Sequence, residues 1–171
     1  MSIADYFEFY ILYIPKAVYG WGILSFLFLF AVAVIWKGVK GGIRLAAAFL
    51  LIEYVVLLVF FTIFLYRNTE VSDYRLLPFW SYSAVFQGTQ VLAQEILMNI
   101  AVFIPIGFLT GTIIKNITWK KLAFVGFSVS LTIELLQLIF KRGYCETDDI
   151  INNTLGCLIG FCIFLLLRII V

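Results

Sequence analysis

Five long apolar stretches constrain the fold of this chain more than any other feature of its sequence. They cover residues 17–36, 45–66, 96–114, 122–140 and 150–167. The charged residues within them are Glu53 and Glu134, and each stretch has about the 20 helical residues needed to cross a hydrocarbon layer. A transmembrane barrel would instead show alternating segments of about ten residues. The sequence therefore predicts an all-α membrane protein: a single domain over residues 1–171, built as a bundle of about five transmembrane helices.

The composition agrees with a membrane protein and excludes several classes of site. Hydrophobic residues make up 64% of the chain and the mean hydropathy is +1.09, far from the composition of a soluble domain. Histidine is absent, which removes the usual zinc sites and histidine-based catalytic triads. A net charge of +2 without a basic stripe does not indicate a nucleic-acid partner. We expect no cofactor.

The distribution of basic residues predicts the orientation in the membrane. One side receives seven of them and no acid, namely Lys37, Lys40, Arg44, Lys115, Lys120, Lys121 and Arg168. The other side receives the remaining five together with eight acidic residues. Because Lys and Arg in short loops favour the cytoplasm, the N-terminus is predicted outside and the C-terminus in the cytoplasm. Asp5 and Glu8 do not fit the basic start of a cleaved signal peptide, so we expect the first helix to be retained.

The connection between the second and third stretches, residues 67–95, is too apolar for an ordinary solvated loop. It contains Tyr74, Leu76, Leu77, Pro78, Phe79, Trp80, Tyr82 and Phe86. Trp and Tyr favour the headgroup level of a bilayer, so this segment is predicted to lie in the interface or to re-enter the membrane. An aromatic belt without a ligand is the simpler alternative.

Three of the predicted helices carry polar residues at the same end. The acids and amides concerned are Glu95, Asn99, Glu134, Gln137, Asp148, Asp149, Asn152 and Asn153. Glu134 lies six residues from the end of the fourth stretch, about 9 Å deep at 1.5 Å per residue. A charge at that depth is costly unless it is paired or hydrated. Lys141 and Arg142 follow the same helix, so a cation is available nearby.

Small residues continue the polar face of the fifth stretch. Asp149, Asn152, Asn153, Gly156 and Gly160 are spaced as i, i+3, i+4, i+7 and i+11, which places them along one side of a helix. Glycines in a membrane helix let a neighbouring backbone approach closely. This face is therefore predicted to pack against another helix.

Two interpretations of the polar residues stay open. Amides often lock membrane helices together through hydrogen bonds, and such a structural network needs no ligand. The number of ionisable groups beside Lys141 and Arg142 favours a functional site instead. Glu53, near the middle of the second stretch, belongs to that site, forms a separate relay, or is kept neutral by desolvation.

At these residues the chain resembles the VanZ-like family of bacterial membrane proteins. The resemblance rests on NIAVFIPIGF at 99–108, ELLQ at 134–137, Arg142 and DDIINNTLG at 148–156, and Leu77-Pro78-Phe79 is similar to the family's outer connection. It covers about residues 67–165. The motif positions are Asn99, Pro105, Gly107, Glu134, Gln137, Arg142, Asp149, Asn152 and Gly156, with Asp148 and Asn153 beside them.

The resemblance implies a multi-pass protein of the bacterial cell membrane. The family is named for a protein that confers low-level resistance to the glycopeptide teicoplanin without rerouting the cell-wall precursor. The resemblance therefore implies, besides the lipid bilayer, a partner in the cell envelope: a lipid-linked cell-wall precursor or the glycopeptide itself.

Three function hypotheses from different classes follow. In the first, a lipid-linked or cell-envelope ligand binds at the outer leaflet, and the fork of Arg142 meets an anionic headgroup. Its binding residues are Asn99, Glu134, Gln137, Arg142, Asp148, Asp149 and Asn152. In the second, the chain is an enzyme with Glu134 and Asp149 as catalytic candidates, and Asp148 with Asp149 as candidate ligands of a hard cation such as magnesium. In the third, Glu53 and Glu134 carry ions or protons. We favour binding, and we expect no bound metal.

Overall fold

A computed structural model describes the backbone of residues 16–65 and 72–170. The described part contains five α-helices, numbered here in chain order: α1 Lys16–Phe60, α2 Trp80–Phe86, α3 Gln90–Ile113, α4 Trp119–Ile139 and α5 Thr147–Ile170. A π-helical turn, Phe61–Leu65, follows α1, and there are two strands, β1 Ser72–Arg75 and β2 Gly143–Glu146. Asp5, Glu8, Arg67 and Glu70, which entered the charge argument above, lie outside the described residues.

Four helical segments of the described part are long and apolar enough to cross a membrane. They are Gly41–Ile63, Gln90–Ile113, Trp119–Ile139 and Thr147–Arg168. The predicted all-α membrane fold is therefore confirmed, with four such segments where the sequence suggested about five. The predicted span over residues 17–36 falls in α1, where most side chains lie outside the description, and it stays a prediction.

The described residues up to Leu50 belong to one compact unit, and those from Leu51 onward belong to a second. In the first unit the described backbone is helical from Lys16 onward except at Gly38, where φ is 69° and ψ is 172°. Glycine adopts a positive φ at little cost, so the helix direction can change at this one residue. Between residues 37 and 44, which separate the first two predicted spans, the described backbone is helical on both sides of this kink.

In the second unit, α3 and α5 approach each other backbone to backbone. A Cβ atom added at Gly156 would lie 2.0 Å from the carbonyl oxygen of Ile100, and one at Gly160 would lie 1.9 Å from that of Ile104. These distances are far below van der Waals contact, so both positions need glycine. The predicted role of the two glycines in helix packing is confirmed, and α3 is the neighbouring helix.

The core of the second unit lies where α4 joins this pair of helices. Its buried members are Phe103, Ile106, Leu122, Ile133, Cys157 and Phe161. Gly126 on α4 faces the Cys157 side chain, since a Cβ at this glycine would lie 2.8 Å from the cysteine Cβ. Tyr54, near the end of α1, donates a 2.8 Å hydrogen bond to the backbone carbonyl of Val102. Helices α3, α4 and α5 therefore share one apolar core, to which the end of α1 is hydrogen-bonded.

The connection before α3 has more regular structure than the sequence indicated. Strand β1 pairs in parallel with β2, in a register that sets Ser72 opposite Gly143 and Arg75 opposite Glu146. The short helix α2 follows β1, and α3 already begins at Gln90, six residues before the predicted start. Hydropathy marks the apolar part of a helix and not its ends. The backbone hydrogen bonds of a helix continue through polar residues, so the helix can begin earlier than its apolar part.

A tight turn connects α4 to β2. Lys141 has a φ of 55° and Gly143 a φ of 150°, and the backbone N–H of Arg142 donates to the carbonyl of Gln137 at 2.8 Å. This turn brings β2 back to the end of α4. The beginnings of α3 and α5, the end of α4 and the β1–β2 pair thereby lie at one end of the unit, which we call the polar end.

Candidate functional site

Asp148, in the first turn of α5, anchors the connection to the polar end. Its carboxylate accepts hydrogen bonds from the backbone N–H and the hydroxyl of Ser81, the former at 2.9 Å, and from the backbone N–H of Phe79. The residue is 0% exposed. These donors belong to the start of α2, whose first N–H groups have no partner within the helix. Asp148 therefore caps α2 from another helix, and its negative charge also suits the N-terminus of α5.

Asn152 lies one turn further along α5 and also contacts α2. Its Oδ1 accepts a hydrogen bond from the hydroxyl of Tyr82. Burial, and in second place the charge of Asp148, raise the pKa of Tyr82, so this hydroxyl stays protonated and able to donate. Asn152 is 0% exposed, and its Nδ2 has no hydrogen-bond partner in the described part of the chain.

Asp149 and Asn153 point to two other helices. Asp149 accepts a 2.7 Å hydrogen bond from Nδ2 of Asn99 on α3, whereas Asn153 donates a 2.8 Å bond to the hydroxyl of Ser130 on α4. The stripe predicted on α5 is therefore divided among three neighbours: α3, α4 and the short helix α2. Contacts with all three at once define the position of the start of α5.

Glu134, the acid predicted to lie deep in α4, is 2% exposed. Its Oε2 accepts a 2.9 Å hydrogen bond from the backbone N–H of Glu146 in β2. A buried carboxylate needs such donors, because an unpaired charge in a membrane protein is expensive. The pairing of Glu134 with Arg142 stays a prediction. Gln137 contributes through its backbone carbonyl, which accepts from Arg142 as described above.

Three carboxylates surround the thiol of Cys145 in β2. Burial is the largest influence that raises the pKa of this thiol, and the charges of Glu134, Asp149 and Glu146 raise it further. The thiol therefore stays protonated at neutral pH, where only a thiolate is a strong nucleophile. The same arrangement shows that α4, β2 and α5 bring their acidic groups close to one point.

Arg75 supplies positive charge at this end. Its guanidinium lies 3.5 Å from Glu146, 4.4 Å from the ring centre of Trp80 and 4.1 Å from that of Tyr144. An arginine between two aromatic faces gains cation–π attraction from both. Arg75 therefore holds β1, α2 and β2 together.

The sequence analysis missed Arg75, Ser81, Tyr82 and Ser130 as members of this cluster. The aromatic residues of the connection predict a membrane-interface segment and do not indicate the partners of its polar side chains. Pairing across 67 to 71 positions, as between Ser81 and Asp148 or Arg75 and Glu146, leaves no periodic pattern in the sequence. A serine and a tyrosine, three and four residues after Pro78, were the available signal.

Glu53 does not join the cluster. No hydrogen bond or ion pair connects it to another described residue, although the neighbouring Tyr54 is bonded to α3. Within the residues that the structure describes, no group of three or more Cys, Asp or Glu side chains is placed to hold a metal ion. Both oxygens of Asp148, a candidate cation ligand in the sequence analysis, already accept hydrogen bonds.

Comparison with known proteins agrees with this architecture. The model of the family described as VanZ/LLP1 matches residues 45–168, which include the end of α1 and every element of the polar end. The chain belongs to the VanZ/LLP1 family. The resemblance drawn from the motifs around Asn99, Glu134 and Asp149 is thereby confirmed, and a VanZ/LLP1 match that begins at residue 45 reaches further upstream than those motifs.

Protein VanZ of Enterococcus faecium is a relative of this VanZ/LLP1 chain. The two are 40% identical over 68 residues, a stretch that covers 39% of this chain and 42% of that protein. The alignment thus spans less than half of the relative's length. No solved structure matches this chain.

Proposed function

We propose that this VanZ/LLP1 protein binds a lipid-linked or other cell-envelope ligand at its polar end, and that it thereby alters the sensitivity of bacteria to glycopeptides such as teicoplanin. The observation that carries the proposal is the convergence of four nearly or fully buried polar residues at one end of the unit: Glu134, Asp148, Asn152 and Asn153. Their positions beside the mouth of a membrane bundle suit a ligand whose tail lies in the bilayer.

The polar end is proposed to face outward, as the distribution of lysine and arginine favours. A cell-envelope ligand is assembled or displayed on that side. The exposed apolar residues Leu76, Leu77 and Phe79 of the connection lie next to the Asp148 anchor, so a bound lipid would find an apolar surface beside the polar groups.

The enzyme hypothesis has weaker support. Asp148 is occupied as the cap of α2, and Glu134 accepts a backbone hydrogen bond. The raised pKa of Cys145 makes that thiol a poor nucleophile at neutral pH. The carboxylates of Asp148 and Glu134 are better suited to hold backbone N–H donors in place than to transfer protons.

A cellular test asks whether the proposed function needs the negative charge of Asp149 and the planar guanidinium of Arg142. In a susceptible bacterium expressing the protein, Asp149→Asn and Arg142→Lys are expected to abolish the change in teicoplanin sensitivity while expression and melting temperature stay near wild type. Lysine keeps the charge of arginine but loses its bidentate fork. The measurement is the minimal inhibitory concentration of teicoplanin with and without the protein.

Asp73→Asn and Lys141→Arg are the matched controls, because both residues are exposed. They are expected to retain the wild-type sensitivity. If all four variants behave like wild type, the polar end serves only to lock the helices and the proposal fails.

A further inference from the structure

The connection carries large apolar side chains that are mostly exposed. Leu77 is 72% exposed, and Phe86 in α2 is 92% exposed. Tyr74, Leu76 and Phe79 are exposed as well. Exposed apolar residues grouped in this way usually mark an interaction surface. The kind of partner follows from the depth at which the connection lies.

Hydrogen bonds to the start of α5 fix that depth. The hydroxyl of Thr147 donates to the backbone carbonyl of Leu76 at 3.3 Å. The carboxylate of Asp148 accepts from the backbone N–H of Phe79. Thr147 and Asp148 are the first two residues of the segment Thr147–Arg168, which is long and apolar enough to cross a membrane. Its 22 residues extend about 33 Å, so its start lies at the edge of a hydrocarbon layer about 30 Å thick.

The contacts of α2 keep the connection near this edge. Tyr82 donates to Asn152, which lies five residues after Thr147 and therefore about 8 Å further along α5. Helix α2 has seven residues and is only about 10 Å long. Elements that lie in a membrane interface bury their apolar side about 5–10 Å deep. Of the two paths that the sequence analysis left open for this segment, the interfacial one therefore fits and the re-entrant one does not.

The backbone at Phe79 holds an exposed ring at this level. Its φ is 65° and its ψ is 16°, a left-handed conformation that is strained for a bulky residue. Asp148 stabilises it by accepting the N–H of Phe79. The ring contacts Tyr82 edge to face, with centres 5.9 Å apart, yet most of it stays exposed. Strain of this kind persists where the surroundings enforce it, and it is frequent at functional sites.

We propose that the connection is a lipid-docking element, in which Leu76, Leu77, Phe79 and Phe86 insert into the leaflet at the polar end and Asp148 sets their depth. Lipid is the occupant because it is the medium at the edge of the hydrocarbon layer. The inference goes beyond the proposed function and does not depend on it, since it needs neither a specific ligand nor a particular orientation of the chain.

Nitroxide accessibility in vesicles tests the proposal. Leu77→Cys is spin-labelled in the full chain without its three native cysteines, in vesicles of phosphatidylcholine and phosphatidylglycerol. Oxygen concentrates in lipid, whereas a charged nickel chelate stays in water. The ratio of oxygen to nickel access at Leu77 should be severalfold above that at Lys141, an exposed charged residue. It should be below that at Leu97, an exposed α3 residue seven positions after Gln90 and thus about 10 Å deep.

Asp148→Asn tests the role of the anchor. It weakens the hold on Phe79, so the Leu77 label should gain nickel access while the Leu97 label keeps its ratio. An unchanged ratio at Leu77 would show that Asp148 does not set the depth. If both labels change, the variant has disturbed the fold. Ser81→Ala, which removes only one donor to Asp148, then decides, and it should shift the Leu77 ratio in the same direction by less.

Three results at Leu77 would overturn lipid docking, each in favour of a different surrounding. Nickel access equal to that at Lys141 would place the connection in water. Protection from both oxygen and nickel would mean that protein, such as a second copy of the chain, covers the label. A ratio above that at Leu97 would indicate a re-entrant segment. The teicoplanin measurements are independent of all three, so the proposed function stands or fails separately.

Discussion

Neighbouring carboxylates at the polar end have different partners, so their substitution should have different effects. Asp148 accepts three hydrogen bonds from Phe79 and Ser81, whereas Asp149 accepts a hydrogen bond from the side chain of Asn99 on α3. The first set fixes a backbone segment distant in sequence, and the second joins two side chains. Asp148 is therefore expected to matter chiefly for stability and Asp149 for function.

Asp148→Asn should destabilise the protein by about 3 kcal/mol, the contribution of strong hydrogen bonds to a charged group. An amide offers one acceptor oxygen where the carboxylate offers two, so its NH₂ group faces an N–H donor of α2. The free energy of unfolding in mixed micelles measures the loss. Asp73→Asn, at an exposed residue that bonds only its neighbour Tyr74 among the described contacts, should change stability by less than about 0.5 kcal/mol. Equal losses for the two variants would contradict the anchoring role.

Glu134 and Arg142 are predicted to stabilise each other. Breaking a buried charge pair typically costs about 3–5 kcal/mol, and removing the second partner then adds little. Glu134→Gln, Arg142→Gln and the double variant should therefore give non-additive losses of thermal stability in detergent. Losses that add up would mean that the two side chains do not interact.

The helices of the second unit depend on glycine at their closest approach. Gly107 meets the backbone of Cys157, and Gly156 and Gly160 meet the carbonyls of Ile100 and Ile104. In a membrane, where lipid is as apolar as the helix surface, such close packing is the main attraction between helices. Helices α3 and α5 can pack backbone to backbone because these positions carry no side chain.

Gly160→Ala should destabilise the helix pair by about 1–3 kcal/mol, the usual cost of overpacking. The methyl group would lie 1.9 Å from the carbonyl oxygen of Ile104, so the backbones must move apart. Unfolding in mixed micelles measures this loss. Ala101→Leu, on an exposed position of α3, adds more volume and should have little effect. A larger effect at Ala101 than at Gly160 would disprove the packing argument.

The sequence predicted the helices well because apolar length and helical spacing are local properties. It placed Asn99, Glu134, Asp149 and Asn152 at one end, and the structure brings their elements together there. It did not predict the β1–β2 pair or the anchoring of Ser81 by Asp148. These depend on contacts between segments about 70 positions apart, which no periodic pattern records.

At the scale of the whole molecule, the orientation in the membrane decides on which side the polar end is accessible. The polar end is proposed to face outward because Lys115, in the loop between α3 and α4, and Lys120 and Lys121, at the start of α4, make the opposite end basic. This orientation determines whether the polar end can meet a cell-envelope ligand.

An impermeant thiol reagent applied to intact cells tests the orientation. In a background without Cys145, Cys157 and Cys162, Lys141→Cys should be labelled, and Lys120→Cys only after permeabilisation. Both positions are exposed in the structure, so access to them depends on the side of the membrane. The opposite pattern of labelling would reverse the topology and remove the case for an external ligand.

The anchoring of α2 by Asp148 also determines the order in which the protein is assembled. Ser81 precedes its partner by 67 positions, so at roughly 5–20 residues per second a ribosome needs between about 3 and 13 s to deliver Asp148 after Ser81. During that interval the connection has left the ribosome without the carboxylate that caps it. The polar end can therefore be completed only after the start of α5 is synthesised, and a chain truncated within α4 would insert its earlier helices without ever forming the site.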